Sequence, residues 1–183
     1  MKIKLIKYKS VKSTNDIAIT LIKKRKTRPT LISSTRQTKG RGTMGKKWIS
    51  QKGNLFISIF FPIDEKTPSF KEFSIVNPII MLDIVKNYCD EKKLRLKFPN
   101  DIMYDGKKIC GFLQELIIQN KRKFLIIGIG LNIVSNPNIN NGYKATNIYL
   151  ETNIRNILNK QVHLWNKKQL KENNVFKKLK KRP

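Results

Sequence analysis

Histidine, cysteine and acid are scarce in this chain, and each shortage removes a class of chemistry. His163 is the single histidine. A Ser/His/Asp triad or a histidine-based metal centre would need support that the sequence does not offer. The two cysteines, Cys89 and Cys110, are too few for a disulfide framework or a four-sulfur zinc site. Neither has a histidine placed by sequence to activate it. A reducing, cytoplasmic setting is the expectation. No apolar run reaches the ~18–20 residues of a membrane span. The first residues, MKIKLIKYKS, alternate charge and hydrophobe, which reads as a strand and not as a signal peptide.

Base is abundant. Thirty-nine Lys and Arg against 12 Asp and Glu give +27 over 183 residues. Lysine outnumbers arginine 31 to 8, and the basic residues are spread along the whole chain. That pattern reads as AT-rich coding bias more than as a nucleic-acid surface, which would favour arginine forks. The field still attracts acidic partners. Apolar residues make up 39%, but runs such as NLFISIFF and FLIIGIGLNIV can bury a core, which excludes wholesale disorder.

Periodicity predicts a strand at 3–8 and then a helix from about Asn15, capped by Ser13 or Thr14. TLISS is a second strand, and NLFISIFF a third, buried one. A helix is expected over about 70–90, with Pro78 imposing a kink or a late start. LRLKF is a strand that Pro99 breaks. Asp105-Gly106 is a two-residue hairpin turn within IMYDGKKICGF, and Asn120-Lys121 turns the chain into the strand KFLIIGIGLNIV. ATNIYLE reads as a short strand or turn. Ile154, Ile157, Leu158, Val162 and Trp165 predict a last amphipathic helix. The expected fold is α+β, a mixed, mainly antiparallel sheet with helices on one face. Residues 1–151 would form the core, and 152–183 a C-terminal helix and basic tail.

Two segments could carry chemistry. In QTKGRGTMGKKW, Gly40, Gly42 and Gly45 let backbone N–H groups converge on an anion, and Arg41, Lys46 and Lys47 add charge. The spacing is neither that of a Walker loop nor that of a dinucleotide fingerprint. A mobile, basic surface loop is an equal reading of it. In KFPNDIMYDGKKICGF, Asn100 and Asp101 sit at a strand end, where side chains reach a cleft. Lys108 returns on the next strand, and alternation puts it on the face of Cys110, opposite Ile109. Spacing alone does not single Lys108 out among 31 lysines.

Together, STND, QTKGRGTMGKKWIS, KFPNDIMYDGKKICGFLQE and GIGLNI resemble, in order, the catalytic domain of biotin–protein ligases, from about Tyr8 to Val134. The resemblance implies that biotin and ATP, with Mg²⁺, are joined as biotinyl-5′-adenylate. Biotin then passes to a lysine of the biotin carboxyl carrier domain of a biotin-dependent carboxylase. Ser13, Thr14, Asn15 and Gln37 would face biotin. Gly40, Arg41 and Gly42 would wrap its carboxylate and the phosphates. Thr43, Gly111, Gly128 and Gly130 would complete the biotin site. Lys108 would contact the biotin carboxylate and the α-phosphate. Asn100, Asp101 and Asn132 would lie on the nucleotide or metal side, and Trp48 by the adenine or as a lock on the loop. Arg41, Lys108 and Asp101 would be catalytic, with Asp101 helping to deprotonate the carrier's amine.

The chain departs from the family pattern at Phe98, where Trp is usual, at Lys46, where Arg is frequent, and at Thr43, where a second loop arginine is common. Only about seven residues precede the end of the first strand and about 49 follow the matched core, so neither a DNA-binding helix-turn-helix domain nor the small C-terminal β-barrel usual in the family is expected. No membrane attachment is expected, and the family's habit of sheet extension allows a homodimer. A lipoate or octanoate ligase and a non-catalytic, basic nucleic-acid-binding module are the rival readings.

Overall fold

The computed structural model describes residues 3–137 and 144–152. Seven strands form one sheet: β1 (Lys4–Tyr8), β2 (Thr30–Ser34), β3 (Leu55–Ile63), β4 (Leu94–Lys97), β5 (Asp101–Tyr104), β6 (Lys107–Gln119) and β7 (Arg122–Leu131). Their order is β1-β2-β3-β7-β6-β5-β4. Only β1 and β2 pair in parallel, and every other neighbour is antiparallel. The helix α1 (Thr14–Lys23) supplies the crossover between β1 and β2, as a parallel pair requires. The other helices are α2 (Phe70–Val85) and the short α3 (Ile148–Thr152). The mixed, mainly antiparallel sheet is the expected one.

The helices differ from expectation, since they divide between the two faces. On β3 and β7, Ile57, Ile59, Leu125, Ile127 and Ile129 pack with Phe73, Ile80 and Ile84 of α2. The alternate residues Phe60, Phe124 and Ile126 pack with Ala18 and Ile22 of α1. A strand sends successive side chains to opposite faces, so both faces of these central strands are apolar and each needs a cover.

Both predicted hairpin turns form. Asp105 and Gly106 have φ of 47° and 71°, and Asn120 and Lys121 have φ of 51° and 60°, the left-handed pair that suits a two-residue turn. The helix α2 starts at Phe70, so Pro78 does not delay it. Ser69 and Glu72 close a capping box at its start, which satisfies two otherwise unpaired backbone donors. ATNIYLE becomes an isolated bridge at Ala145 followed by α3. The helix predicted around Ile154–Trp165, and His163 with it, lies outside the described residues.

Candidate active site

The first turn of α1, the loop after β2 and the middle of the sheet enclose a cavity of about 440 Å³, a size suited to a small ligand. Ser13 occupies the N-cap position in extended conformation (φ −152°), but its hydroxyl makes no capping bond. It faces the cavity with Thr14 and Asn15. Gln37 is brought alongside because the chain beyond β2 pairs with the chain beyond β1 at Val11–Gln37. The Thr14 N–H and hydroxyl both donate to Gln37 Oε1, at 2.8 and 3.0 Å. The Gln37 amide donates onward to Ser50 Oγ at 3.0 Å. Ser58, on β3, lies 2.7 Å from Thr14 Oγ1 and 2.5 Å from Asn15 Oδ1. Thr14, Asn15 and Ser58 are buried while Gln37 and Ser50 are half-buried, so the orientations of the buried groups are set chiefly by one another.

Glycines make the floor. Gly128 pairs with Ser58 on one side and Leu113 on the other, and Gly130 pairs with Phe56 and Gly111. They continue the face of Phe124 and Ile126, where a side chain would occupy the cavity. A methyl group at Gly130 would lie 2.5–2.6 Å from Trp48 Cζ2 and Nε1, and one at Gly111 would lie 2.7 Å from Trp48 Cζ3. The indole therefore rests directly on two paired, bare stretches of backbone.

The loop expected at 37–48 is organised as a small hairpin. Gly42 N–H donates to Lys46 O at 2.7 Å, and Trp48 N–H to Gly40 O at 2.9 Å. A single 3₁₀ turn, Thr43–Gly45, forms the tip, with Met44 and Gly45 at φ of 54° and 72°. A side chain at Gly40 would overlap Trp48 O and Ser50 Oγ, so the close approach of the loop's two limbs requires glycine there. Arg41 forks onto Glu115, with Nη1 to Oε1 and Nη2 to Oε2 both at 2.8 Å. Its Nη2 also lies 2.9 Å from Asp16 Oδ1. Hydrogen bonding to Glu115, ahead of the charges of Glu115 and Asp16, raises the Arg41 pKa above its ordinary value against a smaller opposing effect of burial.

Lys108 faces this side of the sheet because β6 is bulged. Ile102 pairs with Cys110 but Met103 with Lys108, which leaves Ile109 unpaired with β5. The bulge overturns the alternation that would set Lys108 on the face of Cys110 and opposite Ile109. Ile109 and Cys110 both enter the core of the α2 face, while Lys108 turns to the cavity. The backbone explains it. Lys108 N–H donates to Lys144 O, Thr146 N–H donates to Lys108 O, and Asn132 N–H donates to Ile109 O. The 144–146 segment and the end of β7 thus engage the chain at the irregularity, where a bulge re-aims a side chain. Lys108 Nζ lies 2.5 Å from Asp101 Oδ1 and 5.4 Å from the Trp48 ring centroid. Asn132 donates from Nδ2 to Thr146 O at 3.1 Å. Its Oδ1 is buried without a partner among the described residues, as is Trp48 Nε1, which leaves an acceptor and a donor for a ligand.

Of the sequence-predicted site residues, Ser13, Thr14, Asn15, Gln37, Arg41, Gly42, Thr43, Trp48, Asn100, Lys108, Gly111, Gly128, Gly130 and Asn132 line this one cavity. Gly40 and Asp101 stand behind it, the first shaping the loop and the second paired with Lys108. Burial raises the Cys110 pKa well above its ordinary value, so this thiol is inert rather than nucleophilic.

The biotin/lipoate A/B protein ligase family model matches residues 8–132. The chain belongs to that family. Among curated relatives, the bifunctional ligase/repressor BirA of Bacillus subtilis is 32% identical over 139 residues, which is 73% of this chain and 42% of that protein. The chain thus spans about two fifths of the length of the first such relatives. A biotin protein ligase from Aquifex aeolicus in complex with biotin and ATP superposes with a TM-score of 0.78 at 28% identity, covering 96% of this chain and 72% of that one. The Leishmania major biotin protein ligase in complex with biotinyl-5-AMP gives 0.74 at 26%, covering 90% and 71%.

Two polar residues that hold the cavity's side chains from behind, Ser58 and Glu115, are not among the expected site residues. Ser58 could have been found only from register, because it becomes a site residue by standing opposite Gly128. Glu115 lies two and four positions beyond Leu113 and Gly111 on the same face of β6, so alternation carried the signal once Gly111 was placed. Among the described residues, no group of three or more His, Cys, Asp and Glu could hold a metal, and no helix is long and apolar enough to cross a membrane.

Proposed function

We propose that this protein is a biotin–protein ligase that condenses biotin with ATP and transfers the biotinyl group to a lysine of a biotin carboxyl carrier domain. The observation that carries the reading is the convergence of Arg41, Lys108 and the Ser13–Asn15 turn on one cavity. Placement of the two cations on different sides of the sheet would have removed it. The similarity to biotin protein ligases with biotin and ATP or biotinyl-5-AMP supports the same reading.

The bound heterocycle would meet Ser13, Thr14, Asn15 and Gln37, and its carboxylate would lie towards Lys108. In the first step a biotin carboxylate oxygen attacks the α-phosphorus of ATP, the bond to the β-phosphate oxygen breaks, and pyrophosphate leaves. Two anions must approach each other, so the residues that matter are those that offset repulsion and fix geometry. Lys108 supplies fixed charge at the meeting point. Asp101 holds Lys108 in place by direct contact, and we assign it that positioning role ahead of proton acceptance. Thr43, Asn100 and Asn132 would border the nucleotide. Among the described residues Asp101 is a carboxylate in contact with Lys108, Asn132 Oδ1 is an unused acceptor, and no group of three or more His, Cys, Asp and Glu gathers, so these residues offer Mg²⁺ few oxygens. That fits an ion held mainly by phosphates and water, which would neutralise charge on the triphosphate. In the second step the carrier's neutral amine attacks the acyl carbon, the bond from that carbon to the phosphate oxygen breaks, AMP leaves with the bonding electrons, and the nitrogen gives up one proton to solvent as the amide forms. No enzyme nucleophile is required, which agrees with the buried state of Cys110. Closure of the Gly40–Trp48 loop would keep water from the mixed anhydride.

A cytoplasmic location and an acidic carrier drawn by the +27 field complete the proposal. Incubation with biotin, ATP and Mg²⁺ should yield biotinyl-5′-adenylate by mass spectrometry, and a carrier domain added afterwards should gain one biotinyl group. Lipoate in place of biotin should give little product. A faster reaction with lipoate would reassign the substrate, and no adenylate from either acid would end the proposal.

A further inference from the structure

Glu115 has no part in the chemistry above, and it does not line the cavity. Yet its carboxylate gathers three donors from two distant parts of the chain. Arg41 Nη1 donates to Oε1 at 2.8 Å, Arg41 Nη2 to Oε2 at 2.8 Å, and Asn15 Nδ2 to Oε2 at 2.7 Å. Asn15 Nδ2 also approaches Leu113 O at 3.3 Å, so its amide donors are turned to β6 while Oδ1 faces Ser58. The Arg41 fork is likewise turned to β6 and to Asp16 on α1. A carboxylate suits this place because it accepts on every lone pair, whereas an amide would set an NH₂ against a donor.

We propose that Glu115 is the positioning residue of this site. It fastens the Gly40–Trp48 loop to the sheet through Arg41 and, with the same oxygen pair, fixes which way the Asn15 amide points. Arg41 then acts by bringing the loop's backbone over the cavity, its guanidinium being engaged at the side. The inference deepens the ligase reading and rests on it for its kinetic consequence, but its structural consequence stands separately.

The test uses Glu115→Gln, Glu115→Asp and Arg41→Gln in the full chain, each checked for fold by circular dichroism. Limited trypsin digestion without ligands, with cleavage sites located by mass spectrometry, reads the loop. Glu115→Gln should speed cleavage after Arg41, Lys46 and Lys47 by about tenfold, the scale set by losing one charge-assisted hydrogen bond. Glu115→Asp, which keeps both acceptors on a shorter arm, should fall between. In adenylate formation, Glu115→Gln should raise the KM for biotin by about tenfold with a smaller change in kcat, and most of that effect should vanish in the Arg41→Gln background. Cleavage rates within about twofold of the parent's, or additive effects of the two substitutions on KM, would overturn the proposal. A parent protein that makes no adenylate would defeat the ligase reading alone, since the cleavage comparison still decides the role of Glu115.

Discussion

Gly128→Ala should damage both stability and binding by one added methyl group. The new carbon would lie 3.0 Å from Asn15 Cγ and 3.1 Å from Nδ2, with Oδ1 nearer still. Asn15 is 3% exposed and cannot swing aside, because Ser58 at 2.5 Å and Glu115 at 2.7 Å hold its two ends. Overpacking of this kind costs about 1–3 kcal/mol, and a displaced amide forfeits about 1 kcal/mol for each hydrogen bond lost. The sum is about 2–4 kcal/mol, which in a chain of this size lowers Tm by about 5–15 °C. Biotin affinity, read by calorimetry, should fall by about tenfold or more, because the displaced amide is the cavity wall. The control is Gly106→Ala. Gly106 has φ of 71° with nothing within 4 Å of an added methyl, so it should lose about 1 kcal/mol to backbone strain and leave biotin binding unchanged. Equal Tm and equal affinity for Gly128→Ala and Gly106→Ala would refute the steric reasoning.

Lys108→Met should reduce adenylate formation by about 10²–10³-fold and also lower Tm, because Asp101 is left buried and unpaired. Adding Asp101→Asn should restore stability without activity, and recovery of both would deny Lys108 its role. Thr43→Arg should slow release of the adenylate, since Thr43 borders Asn100 in the cavity and an arginine grips phosphate where a hydroxyl cannot; identical off-rates would rule this out. Burial lifts the Cys89 thiol from 9.0 to about 11 and Cys110 further in the same direction. The unfolded thiols ionise first, so the stability that depends on them is complete below pH 9 and lost as pH rises towards 11 and beyond. Melting curves at pH 8 and 10.5 should therefore diverge less for Cys110→Ala than for the parent.

Most elements were legible because their signals are local. Alternation marks β1, and Asp105-Gly106 and Asn120-Lys121 carry their turns wherever they occur. The misplaced features depend on partners distant in sequence. Alternation puts Lys108 on the Cys110 face because it assumes an unbroken ladder, whereas the bulge goes with bonds to Lys144 and Thr146. The division of the helices between faces follows from β3 and β7 being apolar on both sides. NLFISIFF is a near-continuous apolar run, which already reads as a strand covered twice. Arg41 was legible as a charge in a glycine-rich loop, but its engagement with Glu115 and Asp16 was not, because three separate segments meet there.

The net charge of +27 does not describe the cavity. Of only 12 acidic residues in the chain, Asp16, Asp101 and Glu115 are set against Arg41 and Lys108. A chain poor in acid thus places a quarter of it beside two cations, where it orients them and lowers their long-range field. Most of the surplus lies elsewhere, on exposed lysines such as Lys23, Lys24 and Lys71, while Lys46 and Lys47 reach the cavity from the exposed loop. Exposed charge is screened over ~10 Å at 0.1 M salt and ~3 Å at 1 M, whereas close, half-buried contacts are screened much less. Salt should therefore separate two steps of the proposed reaction. Raising it from about 0.05 to 0.5 M should slow transfer to an acidic carrier domain by about tenfold or more, because encounter depends on the outer field. The KM for biotin, a monoanion meeting the paired cation Lys108, should change by less than about threefold over the same range. Equal salt slopes for the two would mean that the outer lysines, and not the paired Lys108, hold the biotin carboxylate.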